Sequence, residues 1–272
     1  MAVRKHPISG EPILYAPNRA GRPNVFERSD EQICPFCPGN ESLTPPEIAR
    51  IGDPWRVRVF PNKYPAVEGH EVIVESNRHD ATFESIDNAA DVVSMYISRY
   101  RAHAGAAFVS LFTNSGERAG ASIDHIHSQL MPVPFIPPRI GQQLAAFASG
   151  PCPLCRSVGT VIEENDSFRL VVPDAAQQAY QQWIVPKRHE ADFTSLHDAE
   201  VVSLAAVLQN AVRAAHKVAS SHNVLFMNFP RHTTTHFYVD IFPRMTPVAG
   251  FELATGTFIE IIDPAAASRR LR

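Results

Sequence analysis

The chain has 272 residues, which is long enough for one large domain or two ordinary ones. With 44% hydrophobic residues and a formal net charge of −3, it is neither a disordered chain nor one whose overall charge would attract nucleic acid. No apolar run is long enough to span a bilayer, and the first ten residues lack the apolar core of a signal peptide, so we expect a cytoplasmic protein that does not bind membranes.

The first half of the chain is predicted to contain four strands and one helix after an irregular beginning. Residues 1–33 are rich in Pro and polar residues and are predicted to wrap the surface. Apolar residues at helical spacing predict a helix over 84–104. Alternating or continuous apolar residues predict strands at 55–60, 70–75, 106–113 and 122–131.

The second half repeats this order after a Pro-rich linker at 132–138. Strands are predicted at 168–172, 183–185, 224–228 and 236–242, with a helix over 197–220, and the tail after Phe251 is weakly patterned. Strands joined by turns, with one long helix in each half, predict an α+β fold in which an antiparallel sheet is packed by helices. We therefore expect two tandem halves, 1–138 and 139–272.

Cysteine and histidine follow the same repeat. All four cysteines lie in two Cys-Pro-x-Cys pairs, and each pair is followed by two histidines at nearly the same spacing. Zinc prefers thiolate and imidazole ligands, and structural sites use four of them. The two predicted zinc sites, with one ion each, are Cys34, Cys37, His79 and His125, and Cys152, Cys155, His189 and His236.

A thioredoxin-like redox dithiol is the alternative for the first cysteine pair, because Cys-x-x-Cys with Pro suits a thiol of low pKa. Such a motif normally opens a helix, whereas Pro38-Gly39-Asn40 is a poor helix start. A redox function would also leave the matched histidines without a role.

His127 is the candidate nucleophile. On the strand predicted at 122–131, His125, His127 and Gln129 would share one face, because strand side chains alternate with period two. A neutral imidazole held by a neighbouring acceptor can attack phosphorus, and the Gln129 amide could donate to a phosphoryl oxygen. The alternative is that His127 is a core residue or a metal ligand. Tyr238 stands at the matching place of the second half, so the pattern predicts two metal sites and one active site.

Two further segments carry groups that suit phosphate or ribose. The glycines of Asn114-Ser115-Gly116 and Gly120 leave backbone N–H groups accessible to phosphate, although most glycine-containing loops are only turns. Arg58, Asn62 and Lys63 could contact ribose or phosphate, and the alternative for them is a solvated strand end.

These motifs resemble a known family. Asn62-Lys63-Tyr64-Pro65-Ala66, Asn114-Ser115-Gly116 and the segment from Ser122 to Gln129 are similar to galactose-1-phosphate uridylyltransferase, a branch of the histidine triad superfamily with two histidine-triad-like halves. The resemblance extends from about Cys34 to Phe251. The two-cysteine, two-histidine second metal set is more similar to the ADP-glucose phosphorylase branch.

The resemblance implies a ping-pong reaction. His127 would take a nucleoside monophosphate from a nucleotide sugar and pass it to a sugar-1-phosphate or to phosphate, while Gln129 holds the phosphoryl oxygens. The residues implied to line the nucleotide and phosphate site are Asn62, Asn114, Gly116 and Ser122. Glu252, in Gly250-Phe251-Glu252, matches the sugar-recognition region, and a homodimer in which the partner chain completes the sugar site is implied.

Two other functions stay open at this point. A histidine-triad hydrolase of nucleotides usually has a third histidine where Gln129 stands, and glutamine cannot act as a proton donor to the leaving group. A zinc-stabilised nucleotide-binding protein without catalysis would have the same metal ligands and no need for His127.

Overall fold

The computed structural model describes residues 2–21, 33–156, 159–230 and 234–272. The prediction for residues 1–33 therefore lies partly outside the described residues. The strands are β1 (Ala2–Lys5), β2 (Pro12–Tyr15), β3 (Ala49–Ile51), β4 (Val57–Pro61), β5 (Glu71–Val74), β6 (Phe108–Ser115), β7 (His127–Val133), β8 (Thr160–Glu164), β9 (Phe168–Val172), β10 (Gln182–Pro186), β11 (His222–Met227) and β12 (Tyr238–Pro243). The helices are α1 (Ala89–Ala102), α2 (Pro138–Ala148), α3 (Pro153–Arg156), α4 (Asp198–His216), α5 (Gly250–Thr255) and α6 (Pro264–Leu271).

Ten of these strands form one antiparallel sheet in the order β3-β4-β5-β7-β6-β11-β12-β10-β9-β8. Read inward from either edge, the five strands of each half follow the same order, and the halves meet where β6 pairs with β11. The α+β prediction is confirmed. This strand order is the one that a tandem repeat produces, and the division at residue 138 stays a prediction.

The sheet buries apolar side chains on both faces. Helices α1 and α4 pack together over one face, where Leu170 of β9 is 1% exposed. The next residue, Val171, belongs to a second cluster with Ile140 and Phe147 of α2 on the opposite face. Because neighbouring strand residues point to opposite faces, α2 covers the sheet on the side away from α1 and α4.

Several predicted boundaries are wrong. The strand predicted at 122–131 begins only at His127, because Gly116 and Gly120 adopt positive φ and the segment after them runs to the first cysteine pair rather than along the sheet. The predicted linker at 132–138 is shorter than expected, because residues 132–133 end β7 and Pro138 begins α2, which leaves 134–137 to join them. Strand β8 and helix α6 were not predicted.

The other predicted strands are confirmed with ends shifted by at most two residues, and both long helices are confirmed with shorter ends, observed as Ala89–Ala102 and Asp198–His216. Strands β1 and β2 pair as a separate two-stranded ribbon whose residues are exposed or half-buried, in agreement with a surface segment. None of the helices in the described ranges is long and apolar enough to cross a membrane.

Candidate active site and metal centres

The first cysteine pair meets two histidines at one end of the sheet. Cys34 and Cys37 lie in a turn before β3, closed by a hydrogen bond from Cys37 N to Cys34 O of 3.3 Å. His79 follows β5, and His125 lies two residues before β7. His125 Nδ1 is 3.6 Å from both sulfur atoms, and His79 Nδ1 is 3.4 Å from Cys37 Sγ. The four ligand atoms lie within 4.8 Å of one another and could hold a metal ion.

The second half builds the same cluster. His236 Nδ1 is 3.6 Å from the sulfur atoms of Cys152 and Cys155, and His189 Nδ1 is 3.3 Å from Cys155 Sγ. Within the described residues, these two groups are the ones whose donor atoms converge closely enough to share a metal ion. Both sets are the ones predicted from the sequence.

The surroundings of the first cluster prepare His125 to bind a metal, and they argue against a redox role for Cys34. His125 Nε2 donates to the carbonyl of Ser76 at 2.7 Å, which leaves Nδ1 as the coordinating nitrogen. Burial lowers the pKa of His125, so the imidazole is neutral as a ligand must be. Burial also raises the pKa of the Cys34 thiol to about 11, the opposite of the low pKa that a redox dithiol requires.

His127 is the first residue of β7 and is 6% exposed. Its Nδ1 lies 2.8 Å from the carbonyl oxygen of His125. A carbonyl only accepts, so Nδ1 carries the proton and Nε2 carries the lone pair. The first cysteine and histidine cluster thus positions the group that fixes the tautomer of His127, because His125 supplies both an imidazole nitrogen to the cluster and the carbonyl to His127.

A loop-side cavity of about 380 Å³ lies between the sheet and the segment that carries the first cysteine pair. Its polar lining contains five of the predicted catalytic and substrate-binding residues, namely Asn62, Lys63, Ser122, His127 and Gln129. Its apolar lining includes Phe36, Leu43, Pro45, Phe60, Tyr64 and Val72. An apolar slot with a few polar groups at one end suits a base and ribose, with the phosphate at the polar end.

A helix-side cavity of about 350 Å³ lies on the other side of His127, against Leu208 and Val212 of α4. Asn114 and Gly116 line this cavity rather than the loop-side one. Gly116 has φ of 79°, and a Cβ there would lie 2.3 Å from the Ser221 hydroxyl oxygen, so the backbone comes closer to Ser221, directly before β11, than another residue would allow. The predicted phosphate residues thus form two groups that meet at His127.

Arg58 and Glu252 do not join either group. Arg58 is 2% exposed, and its guanidinium donates to Thr44 Oγ1 at 2.8 Å and to Glu47 Oε2 at 3.2 Å. Arg58 therefore stabilises the loop that forms one wall of the loop-side cavity, and it is not a solvated strand end. Glu252 lies in α5, where its carboxylate accepts from Ala249 N at 3.2 Å, outside the lining of both cavities.

In the second half, helix α2 packs against the strand residues that are equivalent to those lining the loop-side cavity. Tyr238, which stands where His127 stands in the first half, is 6% exposed, and its hydroxyl donates to Gln143 Oε1 of α2 at 3.4 Å. Asp240, the counterpart of Gln129, is fully buried, and burial raises its pKa to about 7. Arg139 of α2 lies 3.8 Å from Asp240 Oδ2.

Two residues at the site were missed by the sequence reasoning. His70 precedes β5 and lies 3.1 Å from Gln129 Oε1 through its Nε2. Glu75 lies under β7 and accepts hydrogen bonds from Ser128 and Tyr96. The one available signal for His70 was its place in the repeat, where Gln181 stands in the second half.

Comparisons with known proteins agree with this arrangement. A family model described as the Ap4A phosphorylase N-terminal domain matches residues 18–146. The chain is 30% identical to an ADP-glucose phosphorylase of Arabidopsis thaliana, over 99% of this chain and 92% of the relative. It is 24% identical to a galactose-1-phosphate uridylyltransferase of Thermotoga maritima, over 100% of this chain and 98% of the relative.

Among solved structures, a crystal structure of an ADP-glucose phosphorylase from Arabidopsis thaliana with bound ADP-glucose matches with a TM-score of 0.83 and 29% identity, covering 100% of this chain and 98% of that one. Sequence and fold thus agree over the whole length, and the resemblance carried by the His125 to Gln129 segment is confirmed. The chain belongs to the family that contains the galactose-1-phosphate uridylyltransferases and the ADP-glucose phosphorylases.

Proposed function

We propose that this protein is a nucleotidyltransferase that moves a nucleoside monophosphate from a nucleotide sugar, through a nucleotidyl-His127 intermediate, to inorganic phosphate or a sugar-1-phosphate. The observation that carries the proposal is the His127 ring, whose Nδ1–H is fixed on the His125 carbonyl at 2.8 Å while the ring lines both cavities. Family membership supports the same chemistry.

The reaction has two balanced steps. In the first, the Nε2 lone pair of His127 forms a bond to the nucleotide α-phosphorus as the bond to the bridging oxygen breaks, and sugar-1-phosphate leaves with that electron pair. In the second, an oxygen of the acceptor phosphate attacks the same phosphorus, and the P–N bond breaks to regenerate His127. A sugar-1-phosphate leaves as a stable anion, so neither step requires a proton donor at the position of Gln129.

Gln129 would stabilise the charge that develops on the phosphoryl oxygens. It is 4% exposed, belongs to the same face of β7 as His127 and lines the loop-side cavity with it. An amide N–H aimed at a developing negative charge can contribute about 2–4 kcal/mol of transition-state stabilisation. Asn62, Lys63 and Ser122 would hold ribose and phosphate from the loop side, and Asn114 and Gly116 from the helix side.

The first donor to test is ADP-glucose, with inorganic phosphate as acceptor. The 30% identity to an ADP-glucose phosphorylase supports this choice, as do the two cysteines and two histidines of the second cluster. UDP-glucose with galactose-1-phosphate is the alternative pair. Comparing turnover with and without a phosphate acceptor separates both from a nucleotide hydrolase, which needs water alone.

Intact-protein mass spectrometry tests the intermediate. Mixing the protein with ADP-glucose or UDP-glucose should add one nucleoside monophosphate per chain, and His127→Ala should abolish the adduct. Tyr238→Phe is the matched control in the second half and should leave the adduct unchanged. An adduct that survives in His127→Ala, or that forms with no nucleotide sugar, would exclude His127 as the nucleophile.

We further propose that both cysteine and histidine clusters bind zinc. With Zn–S near 2.3 Å and Zn–N near 2.0–2.1 Å, the sulfur-to-nitrogen edge of a tetrahedral site is about 3.5 Å. The observed separations of 3.3–3.6 Å fit that edge in both halves. Bound zinc would link the cysteine turns to the segments that lead into β7 and β12. Metal analysis should give about two zinc per chain.

A homodimer is proposed as the state that completes the sugar site. The segment around Glu252 exposes large apolar side chains, including Phe251, Leu253, Ile259 and Ile261. Glu252 lies outside both cavities of its own chain, so it would act in the site of a partner. If so, mixing inactive His127→Ala with inactive Glu252→Ala protomers should restore part of the activity, because one site of the mixed dimer has both residues. No restoration would contradict a shared site. The cytoplasmic location stays a prediction.

A further inference from the structure

The buried side chain of His70 connects the segment before β5 to Gln129. His70 is 2% exposed and lies directly before β5, whose register pairs Val72 with Gln129. The backbone N–H of Ala66 lies 3.1 Å from His70 Nδ1, and His70 Nε2 lies 3.1 Å from Gln129 Oε1. The proposed mechanism does not use this histidine.

The backbone contact fixes the tautomer of His70. A backbone N–H can only donate, so Nδ1 accepts from Ala66 and a neutral ring carries its proton on Nε2. The Nε2–H group then donates to the Gln129 carbonyl oxygen. With that oxygen held, the amide nitrogen of Gln129 is turned the other way, so that its N–H groups face away from His70.

Asn62 is the other neighbour of the His70 ring. Its amide nitrogen lies 3.2 Å from the same Nε2 atom, while its own carbonyl oxygen accepts from Tyr64 N at 2.8 Å. One nitrogen cannot both donate to Gln129 and accept from Asn62. Because the Ala66 N–H cannot turn around, the bond to Gln129 is the one that the ring can make.

The second half contains the same arrangement in different residues. Gln181 lies directly before β10, and its Oε1 accepts from Gln177 N, four residues earlier, at 2.7 Å. Its Nε2 donates to Asp240 Oδ1 at 2.7 Å, and Asp240 is the counterpart of Gln129. The Gln177 N–H can only donate, so Oε1 is the end of the Gln181 amide that accepts, and Nε2 is left to donate to the strand. In both halves, the residue directly before the strand therefore donates a hydrogen bond to the neighbouring strand: His70 to Gln129, and Gln181 to Asp240.

We propose that His70 is a positioning residue for the transfer step, which holds the carbonyl of Gln129 so that its amide nitrogen meets the phosphoryl group bound to His127. The inference rests on the proposed function. With the amide reversed, the Gln129 carbonyl oxygen would face the negative phosphoryl oxygens and oppose the charge that develops on them. The contact between His70 and Gln129 across the sheet therefore decides whether the nitrogen or the oxygen of the Gln129 amide faces the phosphoryl group.

The second half supplies the matched substitutions. His70→Gln keeps one acceptor and one donor, as Gln181 does, and should retain most of the rate of adduct formation in single-turnover mass spectrometry. His70→Glu has nearly the same shape as His70→Gln but no donor when ionised, so at alkaline pH, where the buried carboxyl has lost its proton, it should slow adduct formation at least about tenfold. Affinity for the nucleoside monophosphate should change much less than the rate in both variants. Equal rates in the Gln and Glu variants at alkaline pH would overturn the proposal.

Action through Gln129 is tested by a double-mutant cycle. His70→Ala should slow adduct formation in the wild-type background and add almost no further loss to Gln129→Ala, because the amide it positions is already gone. A loss of the same factor in both backgrounds would refute the positioning role. Gln181→Ala is the structural control: it removes the same pair of hydrogen bonds in the second half and should leave the rate per folded chain unchanged.

A spectroscopic readout separates this inference from the proposed function. Long-range nitrogen–proton correlation NMR reports the His70 tautomer without any reaction. The Nε2–H form supports the proposal, and the Nδ1–H form overturns it even if His127 is the nucleophile. Failure of the wild-type protein to form any adduct would instead reject the proposed function, whatever the tautomer.

Discussion

Replacing Glu75 by Gln should make the stability of the protein less sensitive to rising pH. Glu75 is 0% exposed and lies between α1 and β7. Its Oε1 accepts from Tyr96 OH at 2.6 Å and from Ser128 Oγ, while Oε2 has no hydrogen-bond partner among the described residues. Burial raises the pKa of Glu75 from its ordinary 4.5 to about 7, against the lowering by these two hydrogen bonds.

The sign follows from proton linkage. The folded state binds the Glu75 proton more tightly than the unfolded state, so the stabilising contribution is fully present below the unfolded pKa and is lost as pH rises through about 7. A shift of this size corresponds to about 2.5 kcal/mol of unfolding free energy lost between pH 5 and pH 8. The Gln side chain does not titrate, so Glu75→Gln should gain about that much relative to the wild type over the same interval.

Denaturant unfolding of both proteins at several pH values between 5 and 8 measures this difference. Titration of the cysteine and histidine ligands also changes stability with pH, but it contributes equally to both proteins and cancels in their difference. Any unpaired amide group of the Gln variant adds a constant offset that does not depend on pH. A difference in unfolding free energy that stays flat from pH 5 to pH 8 would refute the reasoning.

Three further predictions concern the second half and the metal clusters. Asp240→Asn should show the same pH trend as Glu75→Gln, because burial raises the pKa of Asp240 to about 7 as well, and the same unfolding series checks it. Cys34→Ser and Cys152→Ser should each lower the metal content by one ion per chain, but only Cys34→Ser should slow adduct formation strongly, because its cluster contains His125; equal losses of rate would contradict this. Tyr238→His should add no second nucleotide in intact-mass measurements, because α2 occupies the space that a nucleotide would need.

Local residue patterns were enough to predict many of the helices and strands of this protein. The periodic apolar residues of α1 and α4 predicted both helices, because a helix that buries one face needs apolar residues at that spacing. The start of β7 could not be read in the same way. Residues 122–126 have the composition of a strand, yet His125 must leave the sheet to reach the cysteine turn, and that requirement lies far away in the chain.

The short helix α2 was not predicted, because it also depends on contacts with residues that are distant in the sequence. Helix α2 begins at Pro138, directly after a Pro-rich segment that reads as a linker, and it is stabilised by packing Ile140 and Phe147 against the sheet. The helix is therefore stabilised by packing against strands of the second half of the sheet. The role of Arg58 was equally hidden, since burial beneath residues 41–47 depends on how that loop folds back.

The sequence by itself determined the chemical inventory: two sets of cysteines and histidines in matching order, the histidine that we propose as the nucleophile, and the family to which the chain belongs. Residue type and spacing carry that information because ligand chemistry depends on the side chains themselves. Only the tertiary structure decided which groups face each other, such as the contact of His70 with Gln129 across β5 and β7. It also decided that a cavity lies against the strands of one half while α2 packs against the equivalent strand residues of the other. Such contacts depend on strand register and on packing between residues distant in sequence, which local patterns do not encode.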